Sequence, residues 1–156
     1  MALKVQIEKS KQVCQWKEYK DVEGNVLAEF QINGINNKAY LVAVERASNQ
    51  INQKGFDVTA ADASDKLYHE LLMEAVACHL IKDWKGVTFD ENGEVIEPPY
   101  SKEAAIKLLT SGDIGIYLWA FIKEQAVKIQ EEANKVKLDT LGKSESSTSG
   151  KPSTES

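Results

Sequence analysis

Residues 64–101 read SDKLYHELLMEAVACHLIKDWKGVTFDENGEVIEPPYS, and the reading of this stretch decides the fold. Its first half has a helical period. Leu67, Leu71, Ala75 and Cys78 recur on one face, and Tyr68, Leu72, Val76 and Leu80 form an adjoining stripe. The double stripe is wider than a surface helix needs, which predicts a central helix packed on more than one side. At about 1.5–3 kcal/mol per fully buried large side chain, residues such as Leu71 and Leu72 are expected to supply much of the core energy. Ser64 suits the N-cap. The expected helix covers 64–84, with Lys82 and Lys85 at the negative end of its dipole and Gly86 at the C′ position.

The second half reads as turns. Asp90-Glu91-Asn92-Gly93 offers side-chain acceptors followed by a glycine free to adopt positive φ. Pro98-Pro99 blocks any helix there. Ser101 then caps a short helix over 101–110, with Glu103 and Ala104 in its first turn.

Upstream, residues 2–33 form a β-hairpin region. Leu3, Val5 and Ile7 alternate with polar residues over 2–7. Two further runs, VCQWKEYK (13–20) and VLAEFQIN (26–33), flank a loop of hairpin length that contains Gly24. From Asn37 the period becomes helical through Tyr40, Val44, Ala47 and Ile51, giving a helix over 37–53. Downstream, Asp113 is placed to cap a last helix over 113–137. Its stripe runs through Ile114, Leu118, Phe121, Ile122, Gln125, Ile129, Ala133 and Val136.

After Leu141 the composition is Ser, Thr, Gly, Lys and Glu with one Pro. Such a segment buries too little apolar area to offset its ordering entropy, so 142–156 is expected to be a disordered tail. The whole predicts one globular domain over 1–141. Its class is α+β and predominantly helical, with an N-terminal β-hairpin or small meander packed on a bundle of about four helices.

Composition narrows the function. A chain of 156 residues with 42% hydrophobic and 28% charged residues is ordinary for a globular protein. Its net charge of −5, with no basic patch outside the Lys-rich last helix, argues against nucleic acid as a partner. No apolar run approaches the roughly 18 residues that a membrane span requires, and MALKVQIEKS lacks a signal-peptide core. Cys14 and Cys78 read as two unpaired thiols of a reduced, cytoplasmic chain rather than a disulfide.

No catalytic pattern emerges. His69-Glu70 opens a zincin-like HELLM, but Met73 stands where the second histidine is required. His79 has the wrong spacing from His69 for joint ligation. Asp90-Glu91-Asn92-Gly93 lacks the later ligands of a calcium loop. There is no nucleophile elbow, phosphate-cradling Gly-rich loop or Cys-x-x-Cys. The expectation is a protein that is not an enzyme and holds no metal or cofactor. Tryptophans remain as interface anchors or core residues: Trp16, Trp84 and Trp119.

One resemblance points to a class of binding protein. The run Asp83-Trp84-Lys85-Gly86-Val87, then Asp90, Gly93, Pro99-Tyr100-Ser101, Glu103-Ala104 and Leu108-Leu109, resembles the tail assembly chaperones of long-tailed, siphophage-like bacteriophages. Those proteins often carry an apolar helix, a D/G-W-x-G-V run, an acidic turn with Gly, P-Y/F-S and a short helix. The resemblance implies a protein that binds the phage tape measure protein, keeps it soluble and helps recruit tail tube protein. It implies work in the host cytoplasm and absence from the mature virion. The surface to expect is the exposed part of the last helix together with the hairpin, with Trp16, Trp119 and Phe121 as candidate contacts. In that family a minority of ribosomes often slip back one nucleotide near the end of the gene, producing an extended form. A G-GGA-AAG heptamer is compatible with Leu141-Gly142-Lys143, and less readily with Ser149-Gly150-Lys151. The alternative is a structural phage protein, a head–tail connector or tail completion factor, retained in the particle.

Overall fold

The structure is a computed structural model that describes residues 2–4, 13–54, 59 and 68–149. The chain forms strands β1 (Cys14–Lys20) and β2 (Val26–Asn33), then helices α1 (Lys38–Lys54) and α2 (Tyr68–His79). Strands β3 (Ile81–Lys85), β4 (Phe89–Glu91) and β5 (Glu94–Ile96) follow, and helices α3 (Lys102–Ser111) and α4 (Gly115–Ser149) close the order. The fold is α+β and mostly helical, with four helices and a small antiparallel sheet near the N-terminus.

The expected hairpin forms with the expected boundaries. β1 and β2 pair antiparallel from Cys14 opposite Asn33 to Lys20 opposite Val26. Asp21 builds the turn between them: its carboxylate accepts from the backbone N–H groups of Glu23 and Asn25, both at 2.9 Å. These hydrogen bonds, Asn25 first, hold the Asp21 carboxyl below the usual range, because they favour its charged form. At the far end of the hairpin, Asn37 caps α1 by accepting from the Tyr40 N–H at 3.0 Å. The strand expected over 2–7 is not seen at residues 2–4, and the rest of it lies outside the described residues.

The principal correction falls on the opening stretch. The helix expected over 64–84 stops at His79, and Ile81–Lys85 is a strand that pairs antiparallel with β2. Ile81 and Trp84, spaced i and i+3, continue a helical stripe in sequence, so the period alone favours the helix; a register shift between Gln31 and Ile32 lets both be buried in the strand. Long-range bonding decides it. The Asn33 N–H donates to the Leu80 carbonyl at 2.8 Å, and Asn33 Nδ2 donates to the His79 carbonyl at 2.9 Å. The chain end of α2 is thereby bonded to β2 instead of to another helical turn, and Phe30 comes opposite Trp84. Lys82 and Lys85 are accordingly strand residues, and the proposed Ser64 cap lies outside the described residues. Gly86 does have positive φ (+78°), but at a strand end. A Cβ there would also lie 3.3 Å from the Leu27 carbonyl oxygen, so this close strand crossing suits glycine.

Burial also shifts along α2. Met73, Ala75, Val76 and Ala77 are buried there, while Leu71 and Leu72 are only half-buried. The centre of the core lies between α2, the sheet and α4, at Phe30, Val76, Leu80, Leu109, Ile122 and Ile129.

Asn92 (φ 54°) and Gly93 (φ 84°) turn β4 into β5, fulfilling the expectation of a turn and adding a short hairpin around it. Ser101 caps α3 as expected, its Oγ accepting from the Ala104 N–H at 3.0 Å. Asp113 does not sit at the cap position. α4 starts at Gly115, and its first turn includes the Leu118 N–H donating to the Ile114 carbonyl at 3.0 Å.

α4 passes the end expected at 137 and runs to Ser149, so the boundary set at 141 falls inside it. Gly142 costs only about 1 kcal/mol in a helix, and no proline occurs before Pro152 to stop propagation. Of the expected tail, 150–156 lie outside the described residues. At about 1.5 Å per residue, the 35-residue helix is about 52 Å long. Among the described residues no single helix is long and apolar enough to cross a membrane.

Candidate partner-binding surfaces

Of the residues that carry the family resemblance, Trp84, Val87, Leu108 and Leu109 are buried, while Asp83, Lys85, Gly86, Asp90, Gly93 and Glu103 are exposed. Trp84 is 7% exposed and meets three aromatic rings edge-on: Phe30 at 6.5 Å, Phe89 at 6.4 Å and Tyr100 at 5.3 Å between centroids. Its indole N–H donates to the Pro98 carbonyl at 3.0 Å. The Tyr100 hydroxyl donates to the Ile81 carbonyl at 2.7 Å, with the Ala77 carbonyl 3.2 Å away. Burial pushes the Tyr100 phenol up to about 12, with smaller contributions from Cys78, Asp83 and Glu103. The D-W-K-G-V and P-Y-S runs thus form a joint that fixes β3 against the segment leading to α3. Their buried members Trp84 and Val87 shape the molecule, while Asp83, Lys85 and Pro99 stay exposed at its surface.

The three candidate contacts are not brought together. Trp16 stands on the outer face of the sheet, 37% exposed, in register with Gln31, which in turn pairs with Asp83. The Lys85 ammonium lies 4.5 Å from its ring centroid. Phe121 is on the opposite side of the sheet. It packs edge-on against Tyr19 at 5.0 Å and joins α4 to β1 as a partly buried flank of the core. Trp119 also packs against the core, and the Lys123 ammonium lies 4.1 Å from its ring centroid. Its Nε1 is buried and meets no acceptor among the described residues. Trp16 is therefore the one of the three presented on an open face, while Phe121 and Trp119 serve mainly to seat α4.

Two grooves were not foreseen. One lies between α1 and α2, about 430 Å³, floored by Ala43, Ala47 and Ala75 with Arg46 and Glu74 at its sides. Within it, burial pushes the Cys78 thiol up, and burial followed by the Lys102 charge pushes the His79 imidazole down. Both shifts favour the neutral forms, and for Cys78 that is the less reactive thiol. The second groove, about 550 Å³, lies between the β4–β5 hairpin and the corner where α3 and α4 bend by 119°. Phe89, Leu108 and Ile114 give it apolar walls, and Asp90, Glu91, Lys107 and Asp113 supply charge. A sequence signal for this second groove does exist in the run from Asp90 to Glu97, where four acids accompany exposed Val95 and Ile96.

Among the described residues no group of three or more His, Cys, Asp and Glu side chains is arranged to hold a metal ion, and Cys14 and Cys78 are both free.

Comparison with known proteins is consistent with a phage source. Residues 35–143 match the family described as YdaY prophage protein. The chain is 33% identical to Protein YdaY of Escherichia coli (strain K12) over 97 residues, covering 62% of this chain and 78% of that relative. No solved structure matches it. The family match begins just before α1 and takes in the helical body, the Trp84 joint and most of α4. The chain is a phage-derived protein and belongs to the YdaY prophage protein family.

Proposed function

We propose that this protein is a tail assembly chaperone: it binds a tape measure protein, keeps it soluble and helps recruit tail tube protein. The observation that carries this reading is the run from Asp83 to Leu109, which resembles those chaperones in residue type and order. Membership of a prophage family supports a phage role. The net charge of −5 and the open Trp16 face suit a carrier that shields apolar helices of a partner while staying soluble. On this reading the protein is not an enzyme, uses no cofactor, binds neither nucleic acid nor membrane, and works in the host cytoplasm.

Mass spectrometry of purified particles tests the reading. A chaperone is absent from the finished virion, whereas a head–tail connector or tail completion factor stays in it at stoichiometric amounts. An extended form made by −1 slippage at Gly142-Lys143 is part of the same proposal. Those residues lie within α4, so an extension would be carried on a helix already joined to the body. Codons other than GGA-AAG there, or a closed −1 frame, rule out that heptamer at that site.

A further inference from the structure

We propose that the groove between the β4–β5 hairpin and the α3–α4 corner is a docking site for a partner-protein segment that carries a Lys or Arg beside an apolar side chain. This inference rests on the groove and stands apart from the chaperone reading. Its walls at Phe89, Leu108 and Ile114 are apolar, and Ile114 is 42% exposed. The hairpin beside it is thinly covered. All three residues of β5 are exposed, including Val95 at 65% and Ile96 at 40%, although β-branched apolar residues normally pack against something.

Charge selects the occupant. The groove is lined by three acids, Asp90, Glu91 and Asp113, and by one base, Lys107. Lys107 is already engaged by the Glu91 carboxylate, which leaves Asp90 and Asp113 as the remaining charged lining. Glu94 and Glu97 extend the negative field along the hairpin. The C-terminal end of α3 reaches the same groove through Leu108 and Ser111, and its last turn holds no basic residue. The negative end of that helix dipole therefore adds to the carboxylates. A cationic side chain with an aliphatic stem satisfies both features at once: its stem covers Phe89 and Ile114, and its charge faces Asp90 and Asp113.

The test uses the full chain and two synthetic amphipathic peptides, one patterned from Leu and Lys and the other with Glu in place of Lys. Asp90→Asn combined with Asp113→Asn removes the two groove charges. Asn at 90 keeps an oxygen to accept from the Gly93 N–H, which Asp90 now does at 3.1 Å. Glu45→Gln combined with Glu131→Gln removes the same net charge from exposed positions on α1 and α4. The Leu/Lys peptide is expected to bind and to shift amide resonances of 88–97 and 107–114. The groove double variant should weaken that binding about tenfold, with an unchanged thermal melt and little effect from the control pair. Absence of binding, equal loss in both double variants, equal binding of the Leu/Glu peptide, or shifts centred on the α1–α2 groove would each overturn the proposal.

Discussion

The hydroxyl of Tyr100 donates to the backbone carbonyl of Ile81 at 2.7 Å, across the point where α2 gives way to β3. This bond ties the P-Y-S run to the first residue of the strand, and Trp84 lies edge-on to the same ring. Breaking the bond loosens the joint on which the order of the central stretch depends.

Tyr100→Phe is expected to lower stability by about 1 kcal/mol near neutral pH, the usual net value of one hydrogen bond. It should also change the alkaline limb. The folded-state value of about 12 lies above the unfolded value of 10.0, so the neutral phenol favours folding. That contribution is fully present below about pH 10 and is lost as pH rises toward 12. Urea melts across this interval should fall less steeply for Tyr100→Phe than for the native protein. Parallel slopes would mean that the phenol is not held neutral by the fold.

Core substitutions should follow the observed burial and not the helical stripes. Leu80 is fully buried at the end of α2, while Leu71 is half-buried beside the α1–α2 groove. Leu80→Ala should cost about 2–5 kcal/mol, and Leu71→Ala clearly less. Chemical denaturation of the two variants gives the order directly, and a larger loss at Leu71 would displace the core from β3 and α4 toward α1.

The two indoles of the core should respond differently to Phe. At Trp84 the substitution removes the hydrogen bond to Pro98 and leaves that carbonyl without the indole, adding about 1–3 kcal/mol to the loss of packing. At Trp119 it removes a buried N–H that has no acceptor among the described residues, which offsets part of the lost volume. Trp84→Phe should therefore be the more destabilising in thermal melts. The reverse order would show that Trp119 Nε1 is satisfied in solution.

Local patterns were legible where the structure is local. Alternation over 13–20 and 26–33 located β1 and β2, and periodicity over 37–53 and 101–110 placed α1 and α3 to within a residue. The stop of α2 was hidden because the i, i+3 spacing of Ile81 and Trp84 fits a helix. Both are buried in β3 only through the register shift between Gln31 and Ile32, which leaves Lys82 outside the pairing. Burial of the candidate contacts divided for a similar reason. Strand parity places Trp16 and Tyr19 on opposite faces of the hairpin, but only the docking of α4 reveals which face is covered, and that it covers Tyr19 with Phe121. The acidic run 90–97 is visible in sequence, but the groove is not, since its two sides, 88–91 and 107–114, meet through the bend between α3 and α4.

The central claim is tested most directly by co-expressing the chain with the tape measure protein of its own prophage and purifying the complex through a tag on the chain. The account predicts that the tape measure protein moves into the soluble fraction and co-purifies, and that Trp16→Ala reduces the complex while leaving the thermal melt nearly unchanged. A tape measure protein that stays insoluble, or that becomes soluble without ever associating with the chain, contradicts it.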